Sequence, residues 1–235
     1  MIHRKQGSNM QGFTLVELML ATVFIALLLV AIATVVIQIS GIYNKGITMK
    51  SVNQAGRAVV DDMKRTVGGS GIFGVDEALV SQDNKGGRLC TGAYSYIWNI
   101  GTAITDKEPQ INNYAGLADK DTPIRLVRVR DNGGTYCKQV DKALLDINKA
   151  DAVELLSTDL AVQYFDIAAL TDASTGSRLY RVTMKISNAD NDAINTAINT
   201  IDTACKPPAD NSGYYNYCAV NQFEFTVQAG NKGGQ

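Results

Sequence analysis

The sequence predicts an α+β chain in which a long N-terminal helix, membrane-spanning in its first half and amphipathic in its second, packs on an antiparallel β-sheet domain. Three observations predict it. Twenty residues from Leu18 to Ile37 carry no charge, apolar residues then continue at helical spacing to Val67, and beyond Gly71 the pattern changes to short apolar and polar alternations. The 235 residues hold 22 Lys plus Arg against 23 Asp plus Glu, so the charge names no polyanionic partner. The one histidine is His3, ahead of the apolar block. Serine–histidine and cysteine–histidine chemistry and histidine-ligated zinc are thereby disfavoured downstream of it.

Residues 1–12, MIHRKQGSNMQG, form a polar stretch carrying Arg4 and Lys5, and Phe13 opens a hydrophobic run that lasts to Ile39. At the helical rise, the uncharged segment alone is ~30 Å long, the thickness of a bilayer core. Its only polar side chains, Thr22 and Thr34, can bond back to helix carbonyls. The basic residues ahead of the span place the N-terminus in the cytoplasm and everything after Ser40 outside. A secretory signal has a shorter apolar core and closes on a small-x-small site, and here Glu17 lies within the first turns of the run. An ionised carboxylate costs ~2.5 to 3.5 kcal/mol at the centre of a membrane helix and less toward its ends, so Glu17 calls for a partner.

Past the span, Ile42, Met49, Val52, Gly56, Val59, Met63 and Val67 recur at intervals of three, four or seven. Lys45, Lys50, Arg57, Asp61, Lys64 and Arg65 lie mostly off that stripe, which describes an amphipathic helix. From Phe13 to Thr66 the helix would run ~80 Å. Gly68, Gly69, Ser70 and Gly71 supply its stop, and Gly41, Gly46 and Gly56 are either points of weakness within it or sites of close packing.

In the remainder, 178–187 and 223–228 alternate as half-buried antiparallel strands, and DLAVQYFDI at 159–167 is a third candidate. Ile124–Val129 and Thr135–Val140 bracket Asp131, Asn132, Gly133 and Gly134 as a hairpin, with a slip at Leu126 and Val127 that fits either a bulge or a segment that is not a strand. All four cysteines, Cys90, Cys137, Cys205 and Cys218, follow the span, and an even count outside a membrane argues for disulfides. Three pairings are open. The most local closes Cys205 on Cys218 around two prolines and three tyrosines, leaving Cys90 for Cys137.

The string GFTLVELMLATVFIALL, Gly12 to Leu28, resembles the N-terminal signature of the type IV pilin and type II secretion pseudopilin family. That resemblance implies cleavage after Gly12 by a prepilin peptidase, an N-methylated Phe13 at the new terminus, and Glu17 paired with the terminal ammonium of a neighbouring subunit. It divides the chain into a leader (1–12), a transmembrane half-helix (13–39), an amphipathic half-helix (40–67) and an exported β-rich domain (68–235). NQAGRAVVDDMKRTVGGSG, ELLSTDLAVQYFDI and RLYRVTMKISN are further similar to minor pilins of the W type and pseudopilin J. The implied function is a structural minor pilin that joins, or primes assembly of, a type IV pilus; a type II secretion pseudopilin and a major pilin are the alternatives. Implied partners are the peptidase, other pilins, an inner-membrane assembly platform and, before assembly, lipid. The implied location is the bacterial inner membrane, then a surface pilus or periplasmic pseudopilus.

Other chemistry ranks lower. Asp190, Asn191 and Asp192, or Asp202 and Asp210, lack the spacing of a calcium loop. The AINT repeat within 192–202 fits a short helix or a loop equally. Arg125, Arg128 and Arg130 with Trp98 and Tyr136 could form a DNA patch, but loss of the leader removes Arg4 and Lys5 and leaves the chain mildly acidic, which disfavours it. A membrane-anchored exported hydrolase built on a carboxylate pair is the alternative of a different class. No pair stands out, so we assign no catalytic residue, metal or cofactor.

Overall fold

The structure is a computed structural model that describes residues 12–82, 85–101, 104, 112–115, 122–138, 145–171, 178–189, 193–195, 202–206 and 217–230. The chain divides into two compact units, Met1–Tyr43 and Asn44–Gln235.

Helix α1 spans Leu15–Gly68 without a break, through Gly41, Gly46 and Gly56. In the first unit it carries the apolar run, and no side chain from Phe13 to Ser40 is buried. It is long and apolar enough to cross a membrane, with a mean hydropathy of 3.0 over its most apolar window. The hydroxyls of Thr22 and Thr34 donate to the carbonyls of Met19 and Ala31 at 2.9 and 2.8 Å, so neither leaves a donor unmet in an apolar surrounding.

In the second unit the later turns of α1 bury Val52, Gly56, Val59, Met63 and Val67. Ile42 and Met49 share their spacing but stay exposed, so the buried stripe begins at Val52. A short helix α2 (Val75–Ala78) leads into strands β1 (Leu79–Gln82), β2 (Gly86–Cys90) and β3 (Tyr94–Asn99), an antiparallel meander. β4 (Asn112–Tyr114), β5 (Leu126–Arg130), helix α3 (Thr135–Lys138), β6 (Leu145–Ile147) and β7 (Ala152–Glu154) follow. The last strands are β8 (Leu160–Ala169), β9 (Arg178–Asn188) and β10 (Val220–Ala229). One sheet has the order β1-β2-β3-β5-β7 and a second β10-β9-β8, both antiparallel. β4 and β6 pair in parallel, an arrangement absent from the sequence expectation.

The main core joins the buried stripe of α1 to Tyr96, Trp98 and Leu126 of the first sheet and to Phe165, Tyr180, Val182, Met184 and Phe225 of the second. A smaller core of Ile97, Val127 and Val129 with Tyr114 and Ile147 lies on the opposite face of the first sheet. β5 is therefore covered on both faces, which explains why Leu126 and Val127 are both apolar without a bulge. The bulge lies in β8, between Val162 and Tyr164, where Gln163 turns inward and donates to Ser187 Oγ at 2.9 Å.

The expected strand over Thr135–Val140 is a second correction. Thr135–Lys138 is helical, and β5 pairs with β3 and β7 instead. The cause is Asp131, whose carboxylate accepts from Thr135 N and Oγ1 at 2.8 and 2.6 Å and from Tyr136 N at 3.2 Å. Gly133 and Gly134 adopt positive φ, 96° and 68°, and turn the chain into that cap. Residues 139 and 140 lie outside the described set.

Gly56 is a close-packing glycine, because a Cβ there would overlap the Phe223 ring of β10, whereas a Cβ at Gly46 meets nothing. Gly56→Val should lower stability by about 2 kcal/mol through overpacking, despite the better helix propensity of the new residue. Combined with Phe223→Ala, the loss should be smaller than the sum of the two single changes. Denaturant titration of the four chains in detergent measures this, and strict additivity would show that the two residues do not touch.

Candidate functional site

The first turn of α1 carries the residues on which the processing and assembly expectation rests. Gly12, Phe13 and Thr14 are non-helical and exposed, and Leu15 begins the helix. Helix starts leave backbone donors without intrahelical partners, and the sequence T-x-x-E at Thr14–Glu17 meets two of them reciprocally. Glu17 N donates to Thr14 Oγ1 at 3.3 Å, while Glu17 Oε2 accepts from Thr14 N and Thr14 Oγ1, each at 3.1 Å. Glu17 Oε1 accepts from no described residue. The site thus presents one half-occupied carboxylate at the head of a run with no other charge up to Asn44, one turn from the Gly12–Phe13 bond. Thr14 was legible as a capping residue in the T-x-x-E spacing and was not singled out.

All four cysteines are bonded. Cys90 at the end of β2 pairs with Cys137 of α3, and Cys205 pairs with Cys218 just ahead of β10. The Cys205 bridge has a small apolar surround of Ala193, Ile194 and Val220, with Ile194 bridging Cys205 in antiparallel fashion. Asp190, Asn191, Asp192, Ile198, Ile201, Pro207, Pro208 and Asp210 lie outside the described residues.

The arginines are dispersed rather than gathered. Arg128 pairs with Asp62 of α1, a carboxylate that also receives the Tyr96 hydroxyl at 2.9 Å and Arg65 at 3.1 Å. Arg125 donates to the carbonyl of Leu160 at 2.9 Å. Arg130 is exposed, and Trp98 is buried against Phe165 with ring centroids 4.5 Å apart. Asp62 and Tyr96 were not named from sequence; Asp62 stands three residues after Val59 on the buried stripe, which is the signal that could have found it.

A cleft of about 640 Å³ is lined by the segment after α1 and by the Cys90–Cys137 bridge. Its ionisable lining is Asp76, Glu77 and Lys138. Among the described residues no three His, Cys, Asp or Glu side chains cluster to hold a metal ion.

Electrostatics single out Asp131. Burial alone would raise its carboxyl pKa, but hydrogen bonds from Ser95, Thr135 and Tyr136 outweigh that and hold it below the ordinary aspartate range. A folded-state pKa below the unfolded one gives stability that is full above about 3.9 and lost as pH falls through the folded value. Asp131→Asn should therefore flatten the acid limb of the stability profile and cost about 2 kcal/mol at neutral pH. Urea titrations at several pH values measure it, and an unchanged acid limb would contradict the assignment. For the bridges, Cys90→Ala/Cys137→Ala and Cys205→Ala/Cys218→Ala should cost about 4 and 3 kcal/mol on the chain-entropy model. Intact mass should rise by two hydrogens per bridge on reduction.

No family model matches the chain, and no curated protein or solved structure was found to match it.

Proposed function

We propose that this chain is a membrane-inserted structural subunit of the type IV pilin class, a minor pilin that joins or primes a pilus after its leader is removed. One observation carries the reading. A helix apolar enough to cross a bilayer bears a single charge, Glu17, in its first turn, immediately after a Gly-Phe junction. Membrane helices seldom carry such a charge without a use, because even a marginal position in hydrocarbon has a cost.

Cleavage supplies the complement. Hydrolysis of the Gly12–Phe13 peptide bond consumes one water and leaves a carboxylate on Gly12 and an ammonium on Phe13. That ammonium is a cation about one helical turn from Glu17 along the chain, and two opposite charges together are far less costly in lipid than either alone. When helices pack side by side, the carboxylate of one and the ammonium of the next can meet only in one axial register. The pair then sets register, while side-by-side contact of the apolar helix faces supplies packing. Within this reading lipid surrounds the helix before assembly, other pilins surround it afterwards, and a prepilin peptidase and an inner-membrane assembly platform handle the chain in between. The second unit, bridged twice by disulfides, is suited to an oxidising compartment outside the cytoplasm.

N-terminal sequencing of the cellular protein tests the class. A terminus at Phe13 supports it, and an intact Met1 or a terminus near Ser40 would sink it. In Glu17→Ala, cleavage after Gly12 should persist while incorporation into filaments falls by about tenfold or more, the equivalent of ~1.4 kcal/mol. Immunoblots of sheared filaments measure this, and full incorporation would remove the register role. Loss of surface filaments in a deletion strain, with protein secretion intact, separates a pilus from a secretion pseudopilus.

A further inference from the structure

We infer that Thr14 is a positioning residue for Glu17: its amide and hydroxyl hold Oε2, so that Oε1 is presented for the ammonium of a neighbouring copy. The inference rests on the proposed assembly role and adds a residue that the charge-pair picture alone does not include.

The geometry is reciprocal. Thr14 Oγ1 both accepts from Glu17 N and donates to Glu17 Oε2, and Thr14 N donates to the same oxygen. A glutamate on a helix ordinarily samples many rotamers, and two hydrogen bonds from Thr14 to its Oε2 restrict them. The carboxylate is left asymmetric, with Oε2 occupied and Oε1 taking no hydrogen bond from a described residue. Holding one oxygen in place lowers the ordering cost of bringing a cation to the other. The same contacts also satisfy two backbone donors of the first turn, a requirement that sharpens once water is excluded. Valine in place of Thr14 matches its shape but lacks the hydroxyl, and serine keeps the hydroxyl with a smaller body. Glutamine at position 17 keeps the reciprocal cap and removes the charge.

These substitutions separate the cap from the charge. The full-length chain is expressed in cells that assemble filaments, and the processed protein is recovered in detergent micelles. Thr14→Val should leave the Phe13 terminus intact, reduce incorporation about fivefold, the scale of one N-cap contribution, and speed hydrogen exchange at the Glu17 amide. Thr14→Ser should restore both. Glu17→Gln should keep the Thr14 amide as slow to exchange as in the parent chain, yet fail to incorporate; Glu17→Ala should lose both. Normal incorporation of Thr14→Val, or unaltered Glu17 amide exchange in it, overturns the positioning role even where cleavage at Gly12 and the need for Glu17 hold. Normal incorporation of Glu17→Gln overturns the charge-pair reading instead, and the exchange rates then still decide whether Thr14 caps Glu17.

Discussion

The two larger β-sheets of the second unit depend on one stripe of α1. Val52, Val59, Met63 and Val67 are fully buried between sheets that share few contacts of their own, a single parallel bridge from Ile100 to Val162 among them. Burial of four such side chains is worth on the order of 1.5 to 3 kcal/mol each, a large share of the stability of a domain this size. Gly56 belongs to the stripe for the opposite reason: its missing side chain admits Phe223 and lets β10 approach the helix. Asp62 then fixes the rotation of the helix about its axis. Its carboxylate can meet Arg128 and Tyr96 of the first sheet only when the apolar stripe faces inward, so packing and polar contact specify one orientation.

The elements legible in the sequence were those with one face in water. α1 announced itself by an uncharged run and then by period, and β9 and β10 by alternation, since each strand sets a buried face against an exposed one. β2 did not. GGRLC reads as a turn, yet all five residues are buried; Gly87 makes room for the Trp98 ring, and Arg88 is buried with its guanidinium on Asn112 and the Tyr136 carbonyl. Loss of hydration lowers the pKa of that guanidinium, the mark of a charge in a place where composition predicts none. β5 misled because it is covered on both sides, and Thr135–Lys138 because a cap formed by Asp131 outweighed the strand propensity of Thr and Tyr. The first reversal comes from contacts distant in sequence, which no local pattern encodes, whereas the second is local, set by a side chain four and five residues ahead of the amides that it accepts from.

Within the candidate site the balance differs. Gly12, Phe13, Thr14 and Glu17 lie within six residues, so the chemistry of the segment is local and was nearly all on the surface of the sequence. Thr14 belongs to the same local signal, since a hydroxyl three residues ahead of a carboxylate at a helix start forms a cap. T-x-x-E at a helix start is itself a physical statement, independent of any family, and it holds whether the helix lies in lipid or among other helices.

The carboxylates of the second unit show what a finished site looks like. Asp62 has two arginines and a tyrosine hydroxyl, Asp131 two hydroxyls and two amides, and Glu154 the amides of Leu126 and Arg125 with the Tyr114 hydroxyl. In all three, both oxygens are engaged. Even so, Glu154 is raised in pKa by loss of hydration despite these donors, a measure of how much donation a sheltered carboxylate requires. Among the described residues Glu17 has a single donor residue, which occupies one of its two oxygens, on a helix fit for lipid. In water the other oxygen would be hydrated at no cost; in hydrocarbon it would be an unmet acceptor, with the cost of any polar group sheltered from water. On the proposed assembly reading, a cation brought to that point offsets that cost, which would set the registry of neighbouring helices from the first turn.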